Sequence, residues 1–136
     1  MEITLQNCYL AVDDHEKALA FYRDAMGLEV RLDVGANTMR WISVGPPSQP
    51  DVNIVLGPPA AEPGTSPSDR EAIKDLLAKG MLGFLVFKTD DCDATFDHIQ
   101  ATGADVIQEP MDQAYGVRDC AFRDPAGNMV RIQQLR

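Results

Sequence analysis

The sequence predicts an α+β protein built from two copies of one βαβββ unit. The first observation behind this is an internal repeat. Val12-Asp13-Asp14 precedes a helical run with Leu19, Phe21 and Tyr22, then Gly27 and the strand-like Leu28-Glu29-Val30. Thr89-Asp90-Asp91 precedes a run with Phe96 and Ile99, then Gly103 and the strand-like Ala104-Asp105-Val106. The second copy trails the first by 77 residues from Asp13 to Asp90 and by 76 from Gly27 to Gly103. A repeat of that length marks two copies of one supersecondary unit, not a solenoid of short ones. The second observation is the order of patterns in each copy: an alternating strand, a helical stripe, then three more strands. Two such units facing each other would create a cleft, where a ligand is most often held.

The elements follow in order. Residues 3–12 alternate, with Cys8, Leu10 and Val12 on one face and Asn7, Tyr9 and Ala11 on the other. Asp13 or Asp14 is a natural cap for a helix over about 15–25, with Glu16 in its first turn. Ala18, Leu19, Tyr22 and Met26 form its apolar stripe, and Gly27 suits its end. Strands are expected at about 28–34, 38–44 and 51–56, the first two joined by Gly35-Ala36-Asn37 as a hairpin. The prolines of Gly45-Pro46-Pro47-Ser48-Gln49-Pro50 exclude ladder pairing there. A Pro/Gly/Ser-rich stretch opens a linker, followed by a short helix over about 70–79 capped by Ser68 or Asp69. The second unit repeats the order with strands at about 82–89, 104–109, 117–123 and 128–134 and a helix at about 92–102. Asp124-Pro125-Ala126-Gly127-Asn128 turns the last two strands. The organisation is a first module over 1–57, a variable linker with a short helix over 58–80, and a second module over 81–136.

The balance of 21 acidic against 12 basic residues, a net charge of −9, argues against nucleic acid as a partner, since phosphate binding needs clustered Lys and Arg. No run approaches the roughly 20 apolar residues of a membrane helix. Met1-Glu2-Ile3-Thr4-Leu5 lacks the basic and apolar regions of a secretory signal, so cytoplasmic residence is expected. Cys8, Cys92 and Cys120 are odd in number and form no C-x-x-C pair, which fits reduced thiols in the core or at the surface.

Two stretches carry a family resemblance. Lys17-Ala18-Leu19-Ala20-Phe21-Tyr22-Arg23-Asp24-Ala25-Met26-Gly27-Leu28 resembles the first helix of the vicinal-oxygen-chelate superfamily. That superfamily includes glyoxalase I, the bleomycin- and fosfomycin-resistance proteins and the extradiol dioxygenases. Phe122-Arg123-Asp124-Pro125-Ala126-Gly127-Asn128 resembles its closing hairpin, F-x-D-P-x-G-N. The resemblance covers nearly the whole chain apart from 58–80. It implies that the two βαβββ modules form a curved mixed sheet around a cleft, as in glyoxalase and bleomycin-resistance proteins. It also implies pairing of units within a chain or across a homodimer. In the metalloenzymes of this kind, His and Glu on the first and last strands of the units hold a divalent ion that stabilises developing negative charge.

The positions that the resemblance assigns to such ligands are Asn7, Val55, Phe84 and Arg131. None is His, Glu, Asp or Cys, and the Arg131 guanidinium would repel a cation. A shift of two residues keeps the strand face and offers Asn53, then Val86 or Leu82, then Met129 or Gln133. None of these makes the set of charged or imidazole donors that a catalytic divalent ion requires. The expectation is therefore no metal and no cofactor.

What the inward faces offer instead is an amphipathic cup. Its expected ligand-binding residues are Asn7, Tyr9, Trp41, Asn53, Val55, Phe84, Tyr115, Met129 and Arg131. The Trp41 and Ser43 side of its strand is placed inward, because Ile42 and Val44 suit a helix-packed layer. Aromatic walls suit a planar ligand, and Arg131 suits a carboxylate or phosphate at its end. The same residues admit plainer roles: Trp41 and Phe84 as core or interface filler, Arg131 as the partner of an acidic neighbour, Asn7 as a backbone ligand. Asp13-Asp14, Asp90-Asp91 and Asp124 are read as caps and a turn builder, not as acid–base pairs.

The function expected is metal-independent binding of a small aromatic or drug-like molecule by a homodimer, with no nucleic-acid or membrane partner. The alternative is a lyase, isomerase or dioxygenase of the same superfamily, metal-dependent or using Tyr9 or Tyr115 with Arg131 as acid–base and oxyanion groups. The residues leave open whether any catalysis occurs.

Overall fold

The computed structural model describes residues 1–135. The chain divides into two compact units, one ending at Asp75 and one beginning at Leu76. Each has its own four-stranded mixed sheet.

In the first unit, β1 (Cys8–Ala11) leads to α1 (His15–Leu19), which runs on into a π-helical stretch over Ala20–Ala25. β2 (Glu29–Val34), β3 (Trp41–Gly45) and β4 (Ile54–Gly57) follow. The sheet order is β1-β4-β3-β2, with β1 parallel to β4 and the other pairs antiparallel. Asp14 is the helix cap, its Oδ1 accepting the Lys17 N–H at 3.1 Å. The expected helix is present over its length, but its second half is wider than an α-helix. Met26 N–H bonds back five residues to Phe21 O, and beyond it Leu28 N–H closes the helix end on Tyr22 O across Gly27 at φ 76°. Leu10, Val12, Ile42, Val44 and Leu56 are buried on one sheet face together with Ala18, Leu19, Tyr22 and Ala25 of the helical layer. The placement of Ile42 and Val44 in the helix-packed layer is as the alternation indicated.

The second unit repeats the plan with β5 (Phe84–Lys88), α3 (Cys92–Gln100), β6 (Asp105–Asp112), β7 (Val117–Arg123) and β8 (Met129–Leu135). Its order is β5-β8-β7-β6, with β5 parallel to β8. Asp91 caps α3 as Asp14 caps α1, its Oδ1 accepting the Ala94 N–H at 3.0 Å. Phe96 of α3 stacks on Phe122 of β7 with ring centroids 5.3 Å apart, over a core of Cys92, Ile99, Cys120, Val130 and Ile132. The turn at Asp124 is built as its residues demand. Its Oδ1 accepts the N–H groups of Ala126, Gly127 and Asn128, each at 2.9 Å, and Gly127 takes φ 122°.

Among the boundaries that differ from the sequence reading, three have a clear physical reason. β1 is four residues long, not ten, because its ladder lasts only as long as β4 opposite: Cys8 pairs with Ile54 and Ala11 with Gly57. Asn7 therefore precedes the strand and is exposed. β3 begins at Trp41, because Asn37–Met39 forms a 3₁₀ turn entered through Asn37 at φ 55°. The intervening helix, α2, spans Pro67–Ala78, and its cap is Ser66, whose Oγ accepts the Asp69 N–H, with Pro67 in the first position. Among the described residues no helix is long and apolar enough to cross a membrane.

Candidate functional site

In each unit the helix covers one sheet face, and the opposite face carries most of the residues singled out from the sequence. In the first unit strand pairing sets that face. Tyr9 lies opposite Val55, Val55 opposite Ser43, and Trp41 opposite Val34. Directly paired residues share a face, so Tyr9, Trp41 and Val55 are brought together. The Tyr9 and Trp41 rings are 5.8 Å apart and tilted by 52°. They lie over Gly57, where an added Cβ would come within 2.5 Å of Trp41 Cζ3 and 2.8 Å of Tyr9 Cε2. Only a residue without a side chain leaves room for both rings there. Tyr9 is still 53% exposed, and its hydroxyl donates to Pro58 O at 2.7 Å. Partial burial pushes the Tyr9 phenol above its ordinary range, so it is a neutral donor rather than a base at neutral pH.

Asn53 joins this face differently from the expectation. Its Oδ1 accepts Arg31 Nη1 at 3.3 Å. Arg31 also donates to Pro46 O at 2.8 Å, to Gln49 O at 3.1 Å and to Val52 O. It thus clamps the proline loop between β3 and β4. The sequence reading missed Arg31, because the β2–β3 register shifts between Val30 and Leu32. That bulge turns Leu32 and Val34 onto the Trp41 face, both of them exposed.

In the second unit Phe84 lies opposite Met129, and Val86 opposite Arg131. Phe84 is 59% exposed. Arg131 is not free. Its Nη1 donates to Asp119 Oδ2 at 3.1 Å and to Gln108 Oε1 at 3.0 Å. Asp119 is fully buried and also accepts from Gln108 Nε2 at 2.8 Å and Gln113 Nε2 at 2.9 Å. Tyr115, 70% exposed, places its hydroxyl 3.4 Å from Asp119 Oδ2. Gly116 beside it has φ 89°, the left-handed backbone its position in the loop requires. Burial alone would raise the Asp119 carboxyl. The hydrogen bonds from Gln113 and Gln108, with the charge and hydrogen bond of Arg131, outweigh it and hold the group below the usual carboxylate range. The acidic-neighbour role weighed for Arg131 from the sequence is the one the structure realises. Asp119 and Gln108 were missed as site residues. Gln108 reaches Asp119 only because β6 carries its own register shift between Val106 and Gln108.

The donor set does not fit a divalent metal. Asn7, Val55, Phe84 and Arg131 stand at the positions assigned to ligands, and the carboxylate beside Arg131, that of Asp119, is already paired to its guanidinium. Among the described residues no three His, Cys, Asp or Glu side chains gather in a group that could hold a metal ion. His15 is buried on the helix side, with Nε2 3.3 Å from Leu56 O.

A family model for the Glyoxalase/Bleomycin resistance protein/Dioxygenase superfamily matches residues 4–132. The chain belongs to that superfamily. Solved structures agree with the assignment. UcmS2 is 30% identical over 98% of both chains, with a TM-score of 0.85. TnmS3, an antibiotic binding protein from Streptomyces sp. CB03234, is 29% identical over 100% of this chain and 99% of its own, with a TM-score of 0.75. YurT, an uncharacterized protein of Bacillus subtilis (strain 168), is 28% identical over 90% of this chain and 92% of its own.

Proposed function

We propose that this chain is a metal-independent binding protein for a small planar molecule, working as a cytoplasmic homodimer. The observation that carries the reading is the Tyr9–Trp41 pair, laid over Gly57 on a sheet face that the helix does not cover. Rings held at fixed tilt by a tyrosine anchored to a backbone carbonyl offer contact area at little entropic cost. Exposed Phe84 and the flexible Met129 add a second apolar surface with a guanidinium beside it. Similarity to an antibiotic binding protein over the full chain supports the binding role. The absence of His, Glu, Asp and Cys at the four ligand positions supports the metal-independent part.

Trp41 is the only tryptophan, so its emission reports on this face. The test is a titration of chelator-treated protein with planar aromatic compounds, followed by fluorescence and by calorimetry. Saturable binding that persists without metal and weakens in Tyr9→Ala is the expected outcome. Stoichiometric divalent metal retained by the purified protein, or turnover of a bound compound, would replace this reading with the enzymatic one. Sedimentation of the same sample checks the dimer.

A further inference from the structure

We infer that Asp119 is a specificity-determining residue that makes the second sheet face select neutral, planar molecules bearing a hydrogen-bond acceptor oxygen, and reject carboxylates and phosphates. The inference rests on the binding role proposed above and names its ligand class. A lone arginine on an open face would favour an anion, as the sequence reading expected. Here the Arg131 charge is already answered by a carboxylate 3.1 Å away that is fully buried. Gln108 and Gln113 hold that carboxylate in place and keep it ionised. The pair has no net charge.

What remains of Arg131 for a ligand is one edge. Nη1 is used twice, by Gln108 and Asp119. Nη2 meets only the Met129 sulfur, at 3.9 Å, and Nε has no partner among the described residues. Those two nitrogens form a fork that donates to a planar oxygen group, beside Phe84 and Val86 on the same face. An anion placed on the fork would be drawn by the guanidinium and repelled by Asp119 behind it. It would also give up part of its hydration without a full counter-charge. The chain's net charge of −9 further opposes its approach. A carbonyl oxygen carries no net charge, loses less hydration, and still gains the hydrogen bonds.

The test uses two probes with the same ring, 2-naphthamide and 2-naphthoate, at pH 7. Binding is read by ¹⁵N-resolved amide shifts and calorimetry. The native protein is expected to bind the amide at least about tenfold more tightly, with shifts at Phe84, Met129 and Arg131; tenfold is an affinity difference of about 1.4 kcal/mol. Asp119→Asn is expected to move the ratio toward the carboxylate by a similar factor, because it frees the guanidinium charge. Equal or tighter binding of the carboxylate by native protein overturns the inference and leaves the binding role standing. An unmoved ratio in a folded Asp119→Asn variant does the same. If that variant does not fold, the native ratio alone decides. If neither probe binds, the binding role fails and the inference with it.

Discussion

Trp41 and Asp119 occupy the same place in the two copies of the βαβββ unit. Trp41 stands two residues before Ser43, which pairs with Val55; Asp119 stands two residues before Ala121, which pairs with Arg131. One copy has put an indole there, open to one side, and the other a buried carboxylate. The duplicated frame therefore presents an aromatic face in one unit and a polar network edged with apolar residues in the other. This division follows from side chains alone, since the backbone plan is shared.

The aromatic face depends on Gly57. Its Cβ-free backbone sits under both rings, and an alanine methyl would fall 2.5 Å from Trp41 Cζ3. Gly57→Ala is expected to cost about 1–3 kcal/mol of stability through overpacking. It should also change the Trp41 emission, because the indole must lift from the sheet. Denaturation followed by fluorescence checks both, and an unchanged spectrum with unchanged stability would show that the rings do not pack on this glycine.

Asp119 predicts a pH signature. Its carboxyl lies below the ordinary value when folded, so it contributes stability that is fully present above the unfolded value of about 3.9 and lost as pH falls through the folded one. Asp119→Asn keeps the shape but sets an amide donor against Gln108, Gln113 and Arg131 donors. The variant should lose about 1–3 kcal/mol at pH 7. Its stability should also fall less steeply between pH 5 and pH 3 than that of the parent. Parallel acid-unfolding curves for the two proteins would refute the assignment.

The three thiols should separate in reactivity. Cys8 is exposed on β1, whereas Cys92 and Cys120 are buried in the core of the second unit. Burial raises the Cys92 thiol, and burial with the neighbouring Cys92 pushes Cys120 up to about 12. A thiol reagent at pH 8 is expected to modify one group rapidly, and the other two only after denaturant is added. Cys8→Ser should abolish the rapid phase; a rapid phase surviving that change would place a reactive thiol elsewhere.

Much of this was legible in the sequence, and the parts that were not share a cause. Alternation told Trp41 from Ile42 and set Phe84 and Val86 on one face, because each of those strands keeps one phase along its length. The family and the repeated unit were legible from the helix and hairpin motifs. Arg31, Leu32 and Gln108 were not, because both second strands of the units carry a bulge that reverses the side-chain phase. No residue type marks a bulge, so the face of everything beyond it is lost to pattern reading. The partners of Asp119 were hidden too, since one of them, Gln108, lies at such a bulge. The length of β1 was over-read because alternation reports side-chain direction and not where the pairing strand ends.

The repeat extends to a pair of arginine clamps, which give the last prediction. Arg40 forks onto Asp33 at 2.9 and 2.7 Å and reaches Glu16 at 2.6 Å. Arg118 forks onto Asp93 at 3.0 and 2.9 Å and reaches Asp112 at 3.4 Å. Glu16 and Asp93 each lie in the first turn of their helix, where a carboxylate also meets the favourable end of the helix dipole. Each clamp thus ties a helix start to an edge strand, and the fork faces the strand in one unit and the helix in the other. Arg118→Lys keeps the charge but cannot make the fork, so it should lower the unfolding midpoint. The carboxylates are largely exposed, so the loss should be smaller than that from Gly57→Ala, and it should shrink in 1 M salt. A loss that is insensitive to salt would mean that the arginine stem's packing, and not its ion pairs, holds the helix to the sheet.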